Sequence, residues 1–234
     1  MSDPAAVALN AAVAEVRGSE LPLGERLRFI AERVRVLRPA YTEAVEAFVA
    51  RLARAGAGTT APQVGEVMPD FMLPDHDGRM VRLDALLEKG PAVVVFHRGH
   101  WCPYCRVTLA AIAEVEARIA PHALVAISPE RQQYTRSLRA DAGAKFAFLS
   151  DVGGGYALSL NLAVWVDDAM AALLGNADID LAEFQGGGGW FLPIPAVFVV
   201  GTDQRIIARH IDPDYRRRMA LDALLGILER VEPA

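Results

Sequence analysis

Cys102 and Cys105 are the chain's two cysteines, and they stand between a segment that reads as strand and one that reads as helix. Ala92 to Phe96 is a continuous apolar, β-branched run of the kind buried on both faces of a sheet. Arg106 to Ile119 carries Leu109, Ile112, Ala113 and Glu116 at helical spacing. A strand that passes directly into a helix belongs to α/β architecture. A cysteine at that junction meets unsatisfied backbone N–H groups and the positive end of the helix dipole, which favour thiolate, the nucleophilic form. Residues at i and i+3 of one turn lie roughly 5–6 Å apart, within reach of a disulfide. The spacing predicts Cys102 at the exposed end with the lowered pKa, as the attacking sulfur, and Cys105 turned back into the first turn as the resolving one. Arg98 and His100 bring positive charge close by, and Trp101 and Pro103 frame the turn.

Two cysteines in 234 residues cannot staple a disulfide scaffold, so a close pair points to redox chemistry or metal binding. Hydrophobic residues at 53% and charged residues at 23% exclude a disordered chain. A net charge of −5 lacks the footprint of a general nucleic-acid binder. No apolar run approaches the roughly 18 residues of a membrane helix, so no membrane partner is expected. Met-Ser-Asp-Pro at the start does not read as a secretory signal, and a cytoplasmic protein is expected.

Residues up to about 60 show amphipathic helical spacing, with Leu27, Ile30, Ala31, Val34 and Leu37 in one stripe and Val45, Phe48, Val49 and Leu52 in another. Pro39 separates the two. Gly56 to Pro62 reads as a linker, dividing a helical arm, 1–61, from an α/β domain, 62–234. Within the latter, strands are expected at Val81 to Leu83, Ala92 to Phe96, Ala123 to Ile127, Phe146 to Leu149, Ala196 to Val200 and Arg205 to His210. Helices are expected at Arg106 to Ile119, Pro129 to Asp141, Met170 to Leu174 and Met219 to Val231. Gly186 to Gly189 lacks the Lys-Ser/Thr of a phosphate loop. Asp212, Pro213 and Asp214 read as a turn and cap, and Trp165 and Trp190 as core or rim aromatics.

Phe96-His97-Arg98-Gly99-His100-Trp101-Cys102-Pro103-Tyr104-Cys105 resembles the active-site segment of peroxiredoxin-like members of the alkyl hydroperoxide reductase/thiol-specific antioxidant family. Gly65 to Phe71, Asp75 to Gly78, Leu192 to Ala196 and His210 to Tyr215 resemble further segments of that group in the right order. The resemblance implies a thioredoxin-like fold and an antioxidant peroxidase that needs no cofactor. Cys102 would attack a hydroperoxide, Cys105 would condense with the resulting sulfenic acid, and a thioredoxin-like or glutathione-based thiol would reduce the disulfide. It also implies a cis-proline opposite the cysteines, for which Ile194-Pro195 is the expected place. One departure stands out. The family's P-x-x-x-T-x-x-C pattern would put threonine where this chain has Gly99 and proline where it has Val95.

That departure leaves a thioredoxin- or glutaredoxin-like disulfide oxidoreductase as the alternative, and Cys-Pro-Tyr-Cys is also a glutaredoxin tetrapeptide. A third reading is a redox sensor or metal-binding module using His97, His100, Cys102 and Cys105, although their spacing departs from zinc patterns and no metal is expected. The arm lies outside the resemblance. Because a thioredoxin-like sheet carries helices on both faces, the arm's apolar stripes are expected to make or extend a homodimer contact.

Overall fold

A computed structural model describes residues 3–188 and 190–231. Three helices open the chain: α1 (Pro4–Arg17), α2 (Leu23–Leu37) and α3 (Pro39–Arg54). Asp3 caps α1 by accepting the Ala5 amide at 2.9 Å, and Pro39 stands at the first position of α3. The predicted stripes face inward, with Leu27, Ile30 and Val34 of α2 and Val45, Phe48 and Leu52 of α3 buried.

The remaining elements are β1 (Met72–Pro74), β2 (Met80–Arg82), α4 (Leu83–Leu87), β3 (Ala92–Phe96), α5 (Pro103–Glu114), α6 (Glu116–Ile119), β4 (Ala123–Ser128), α7 (Gln132–Ala142), β5 (Ala147–Ser150), α8 (Gly155–Ser159), β6 (Ala163–Trp165), α9 (Asp168–Gly175), α10 (Leu181–Gln185), β7 (Phe191–Pro193), β8 (Ala196–Val200), β9 (Ile206–Ile211) and α11 (Leu221–Leu228). A five-stranded mixed sheet runs β5-β4-β3-β8-β9. β3, β4 and β5 are parallel, while β8 and β9 run antiparallel to their neighbours, and Phe96 pairs with Ala196. Every residue of β3 and β8 is buried, as unbroken apolar runs require. The fold class is therefore the expected thioredoxin-like α/β sheet flanked by helices, with a helical region before it.

Boundaries moved where tertiary contacts compete with local pattern. Leu83 starts α4 instead of ending a strand. The helix expected over Arg106–Ile119 begins at Pro103 and is interrupted at Val115. The one expected from Pro129 starts only at Gln132, because Pro129 to Arg131 form the loop that carries Glu130 to the site. The β6–β7 pair was not foreseen. Trp165 and Trp190 are exposed rim residues. Gly186 ends α10 in a left-handed conformation, and Gly189 lies outside the described residues.

Three apolar layers result. On one sheet face Val94, Phe96, Ile127 and Phe198 pack with Met68, Leu83 and Leu160. On the other Val93, Val95, Val197 and Val199 pack with Leu109 and Ile112 of α5 and with Leu224 and Leu228 of α11. The third layer lies outside α5, where Tyr104, Cys105, Val107 and Ala111 meet Val13, Val16, Leu27, Ile30 and Val34 of the arm.

That layer buries the arm's stripes against α5 of the same chain. α5 is apolar nearly all round, with Tyr104, Cys105 and Val107 to Ile112 buried, and such a helix needs cover on both sides. The sheet covers one side and the arm covers the other. The arm's stripes are thus satisfied within the chain. Arg26, itself buried, ties the arm in place by donating to the carbonyls of Leu21, Arg17 and Ser19 and to Glu114 of α5.

Candidate active site

Cys102 occupies the N-cap of α5 with extended backbone, Pro103 follows at the first helical position, and Cys105 lies within the first turn. Proline suits that position because its missing N–H would have no helical partner. Both thiols are free, and each shifts the ionisation of the other.

Both are also buried, at 1% exposure each, which corrects the expectation of an exposed Cys102. The arm is the reason, since it roofs the end of α5. Access nevertheless differs between the sulfurs. Cys102 lines a cleft of about 520 Å³ bounded by Leu9, Val34 and Tyr41 of the arm and by Arg98, His100 and Trp101. Cys105 lines a far smaller recess of about 20 Å³ behind the helix, with His97, Pro195, His210 and Arg218.

The charge-stabilising contacts converge on the inner sulfur. The Arg98 amide donates to Cys105 Sγ at 3.4 Å, and Arg218 Nη2 approaches it at 3.9 Å. Burial opposes ionisation of Cys105, but the hydrogen bond from Cys102, the Arg218 charge, and the amide and guanidinium of Arg98 together lower its pKa. Burial, the hydrogen bond to Cys105 and the Cys105 charge raise Cys102. The expectation of a lowered Cys102 beside an ordinary Cys105 is therefore reversed in the reduced pair. The helix dipole and the Arg98 and Arg218 charges act on both sulfurs, but the Arg98 amide and the close approach of Arg218 Nη2 are made to Cys105.

Arg98 is buried at 3% exposure and lies over two rings, 4.8 Å from the centroid of Trp101 and 3.9 Å from that of Tyr215. Its Nη1 has no hydrogen-bond partner among the described residues. Among the described residues no carboxylate forms an ion pair with it, and it lines the cleft that Cys102 borders. His97, at the end of β3, is buried with an edge-on contact to Phe148 at 5.9 Å, and burial with the nearby Arg218 charge pushes its pKa down to about 3. It is neutral at physiological pH.

Gly99 shows why the family's threonine position is empty. Its φ is +136°, and a Cβ there would sit 2.5 Å from the Glu130 carboxyl carbon and 2.8 Å from Trp101 Nε1. Glu130, fully buried, takes the space such a side chain would fill. It accepts the His100 amide at 2.8 Å and His100 Nδ1 at 2.7 Å.

Pro195 lines the recess behind Cys105, but its peptide bond is trans; the cis bond among the described residues precedes Pro121. β7 ends at Pro193, the Ile194 amide donates to the Leu162 carbonyl at 2.8 Å, and β8 begins at Ala196. His97 and His100 do not converge with the cysteines as a metal set: among the described residues no group of three or more metal-ligating side chains is gathered.

Glu130, Tyr215 and Arg218 were not singled out by sequence reasoning. Tyr215 and Arg218 follow the Asp212–Asp214 turn, in which the Asp212 side chain accepts the Asp214 amide at 2.8 Å, and an arginine run there reads as solvated surface. Glu130 had a usable signal: an acidic residue between a buried strand and a helix, one position after Pro129.

The AhpC/TSA family profile matches residues 64–209. A search of curated proteins finds no match. Among solved structures, peroxidoxin BcpB from Mycobacterium tuberculosis is 20% identical with a TM-score of 0.57, over 73% of this chain and 99% of that one. A mutant of peroxiredoxin 6 from Arenicola marina is 17% identical with a TM-score of 0.55, over 71% of this chain and 72% of that one. The yeast mitochondrial 1-Cys peroxiredoxin, described as resolved via glutathione/thioredoxin systems, is 15% identical with a TM-score of 0.54, over 71% and 75%. These likenesses carry the fold.

Proposed function

This chain belongs to the AhpC/TSA family, and from that premise we propose that it is a thiol-dependent peroxidase in which Cys102 attacks a hydroperoxide and Cys105 resolves the product. One observation carries the assignment of roles: Cys102 borders the large cleft, and Cys105, in contact with it, does not. The nucleophile must meet the substrate, while the resolving thiol needs only to meet the nucleophile.

In the reduced pair the inner sulfur is the more readily ionised, and Arg98 and Arg218 favour negative charge on both sulfurs. Attack by Cys102 thiolate on the terminal peroxide oxygen breaks the O–O bond and leaves a sulfenic acid. Cys105 thiolate then displaces water or hydroxide from that sulfur to form the disulfide. An external thiol, thioredoxin-like or glutathione-based, restores the reduced pair. Arg98, with Trp101 and Tyr215 against it, is placed to hold the peroxide's developing negative charge. Pro103 starts the helix and Pro195 closes the recess behind Cys105.

The second reading, disulfide exchange, is favoured by Gly99 standing where the family has a hydroxyl. Burial of both sulfurs under the arm weighs against a protein disulfide as its substrate. Stopped-flow oxidation of the reduced protein by tert-butyl hydroperoxide, alongside turnover of a model protein disulfide, separates the two. Rapid peroxide-dependent oxidation with a dimedone adduct at Cys102 in Cys105→Ser supports the peroxidase, and disulfide turnover without peroxide oxidation supports the alternative. Among the described residues no helix is long and apolar enough to cross a membrane.

A further inference from the structure

We propose that His100, oriented by the buried carboxylate of Glu130, is the proton carrier of the sulfur chemistry, taking the proton of Cys102 and handing it to the alkoxide released from the peroxide. The inference rests on the peroxidase reading above and deepens it.

Glu130 is fully buried, and its one ion-pair partner among the described residues is His100. An isolated buried carboxylate costs several kcal/mol, so the fold keeps Glu130 there only because it is held by specific donors. Those donors are both on one residue, the backbone amide and ring Nδ1 of His100. With the Nδ1 hydrogen committed to the carboxylate, Nε2 is the nitrogen that takes up and releases a proton. This is the division of labour of a carboxylate–histidine pair beside a nucleophile, recognised by geometry and not by sequence order.

The imidazole is also clamped. Tyr134 stacks on it at 4.7 Å with planes 12° apart, and Phe184 meets it edge-on at 4.7 Å. The ring borders the same cleft as Cys102. Gly99 completes the device: any side chain there would collide with the carboxylate. Three residues from two separate loops are mutually adapted, although a purely structural helix start would need none of them.

The chemistry supplies the demand. Cys102 gives its S–H proton to His100 Nε2, and the thiolate attacks the terminal oxygen of ROOH. The S–O bond forms as the O–O bond breaks, and the bonding pair leaves on RO⁻. His100 imidazolium protonates RO⁻ to ROH and returns to neutral. Sulfur is oxidised by two electrons and the peroxide is reduced by two, with no other reactant. An alkoxide is a far stronger base than a thiolate, so its departure benefits from a positioned acid, an effect of about 10²–10⁴-fold. A carboxylate leaving group needs no such help.

The test uses that difference on the full-length protein. Second-order rates of oxidation are measured with tert-butyl hydroperoxide, whose leaving group is a strong base, and peracetic acid, whose leaving group is acetate. His100→Gln is expected to lose about 10²–10⁴-fold with the first and less than 10-fold with the second. Glu130→Gln, which removes the positioning charge, should show a smaller split in the same direction. His100→Ala with added imidazole should recover the tert-butyl hydroperoxide rate in part, which keeps the idea testable should Glu130→Gln fold poorly. Equal losses with both oxidants, or none, would overturn the proton-carrier role while leaving the peroxidase reading in place. A wild-type protein oxidised by neither peroxide would overturn the peroxidase reading, and this inference with it.

Discussion

The guanidinium carbon of Arg98 lies 3.9 Å from the centre of the Tyr215 ring, which joins the strand-to-helix junction at the cysteines to a turn more than a hundred residues later. The contact holds a buried cation beside two sulfurs without neutralising it, since an aromatic face attracts a cation and carries no net charge. The same guanidinium also lies over Trp101, so its place is set from two sides.

Removing that cation should make the thiol pair harder to ionise. In Arg98→Met the pH midpoint of iodoacetamide alkylation is expected to rise by about 1–3 units, the usual effect of an opposite charge within a few ångströms. Tyr215→Leu should move it the same way by less. An unchanged midpoint in Arg98→Met would remove Arg98 from the electrostatics of the site.

Cys105→Ser should shift the opposite way at Cys102. In the reduced pair the hydrogen bond to Cys105 and the charge on it keep the proton on Cys102. Without the inner thiolate, the negative charge has only Cys102 to occupy, and Arg98 and Arg218 then act on that sulfur alone. The alkylation midpoint of Cys102 in Cys105→Ser should fall below the value at which Cys102 reacts in the intact pair. A higher midpoint would show that Cys105 does not retain the charge.

Gly99→Thr, which places a threonine where the family pattern has one, should damage the protein. The positive φ costs a branched residue about 1–3 kcal/mol, and overpacking against Glu130 costs a similar amount again. A fall of roughly 2–6 kcal/mol in unfolding free energy is expected from urea titration, with peroxidase activity lowered as His100 loses its carboxylate. Wild-type stability with higher activity would contradict this account of the site.

His97 makes stability pH-dependent in a stated direction. Its folded pKa, about 3, lies below the unfolded value of about 6.5, so the unfolded chain binds the extra proton between them. The stabilisation is whole above about pH 6.5 and is lost as pH falls towards 3. From pH 7 to pH 5 this one group should remove about 2 kcal/mol. His97→Gln should flatten that part of the urea-midpoint curve against pH, and a parallel curve would exclude His97 as its source.

Ile30 is fully buried between α2 and the outer face of α5. Ile30→Ala should cost about 2–5 kcal/mol, as large-to-small core changes do. If the arm is the roof over Cys102, alkylation of Cys102 by a bulky maleimide should accelerate in this variant. An unchanged rate would mean that bulky reagents reach Cys102 without displacing the arm.

The strands β3 and β8, the helix after the cysteines and the arm helices were legible because each rests on a local pattern: an unbroken β-branched run, an apolar stripe at 3.6-residue spacing, a proline at a helix start. The cysteine pair and Arg98 were legible for the same reason, since strand, turn and helix bring them together within ten residues. Glu130, Tyr215 and Arg218 were not, because the local signals there, an acidic residue after Pro129 and an arginine run after a turn, do not say what they approach in space. They enter the site from the loop after β4 and the turn after β9, and only the sheet order β4-β3-β8-β9 brings those loops to the same end of the molecule.

Pattern alone also misjudged exposure and charge. A cysteine at a helix start is open to solvent only if nothing covers the helix, and here α5 is apolar on the side away from the sheet, so the arm folds over it and buries both sulfurs. By itself the amino-acid order determined the α/β class and the strand–cysteine–helix junction, because propensity, periodicity and spacing act over a few residues. Which sulfur carries the charge, which one faces the cleft, and why residue 99 must be glycine were decided by groups distant in the chain. Coulombic, hydrogen-bonding and steric interactions depend on separation in space, which the fold sets.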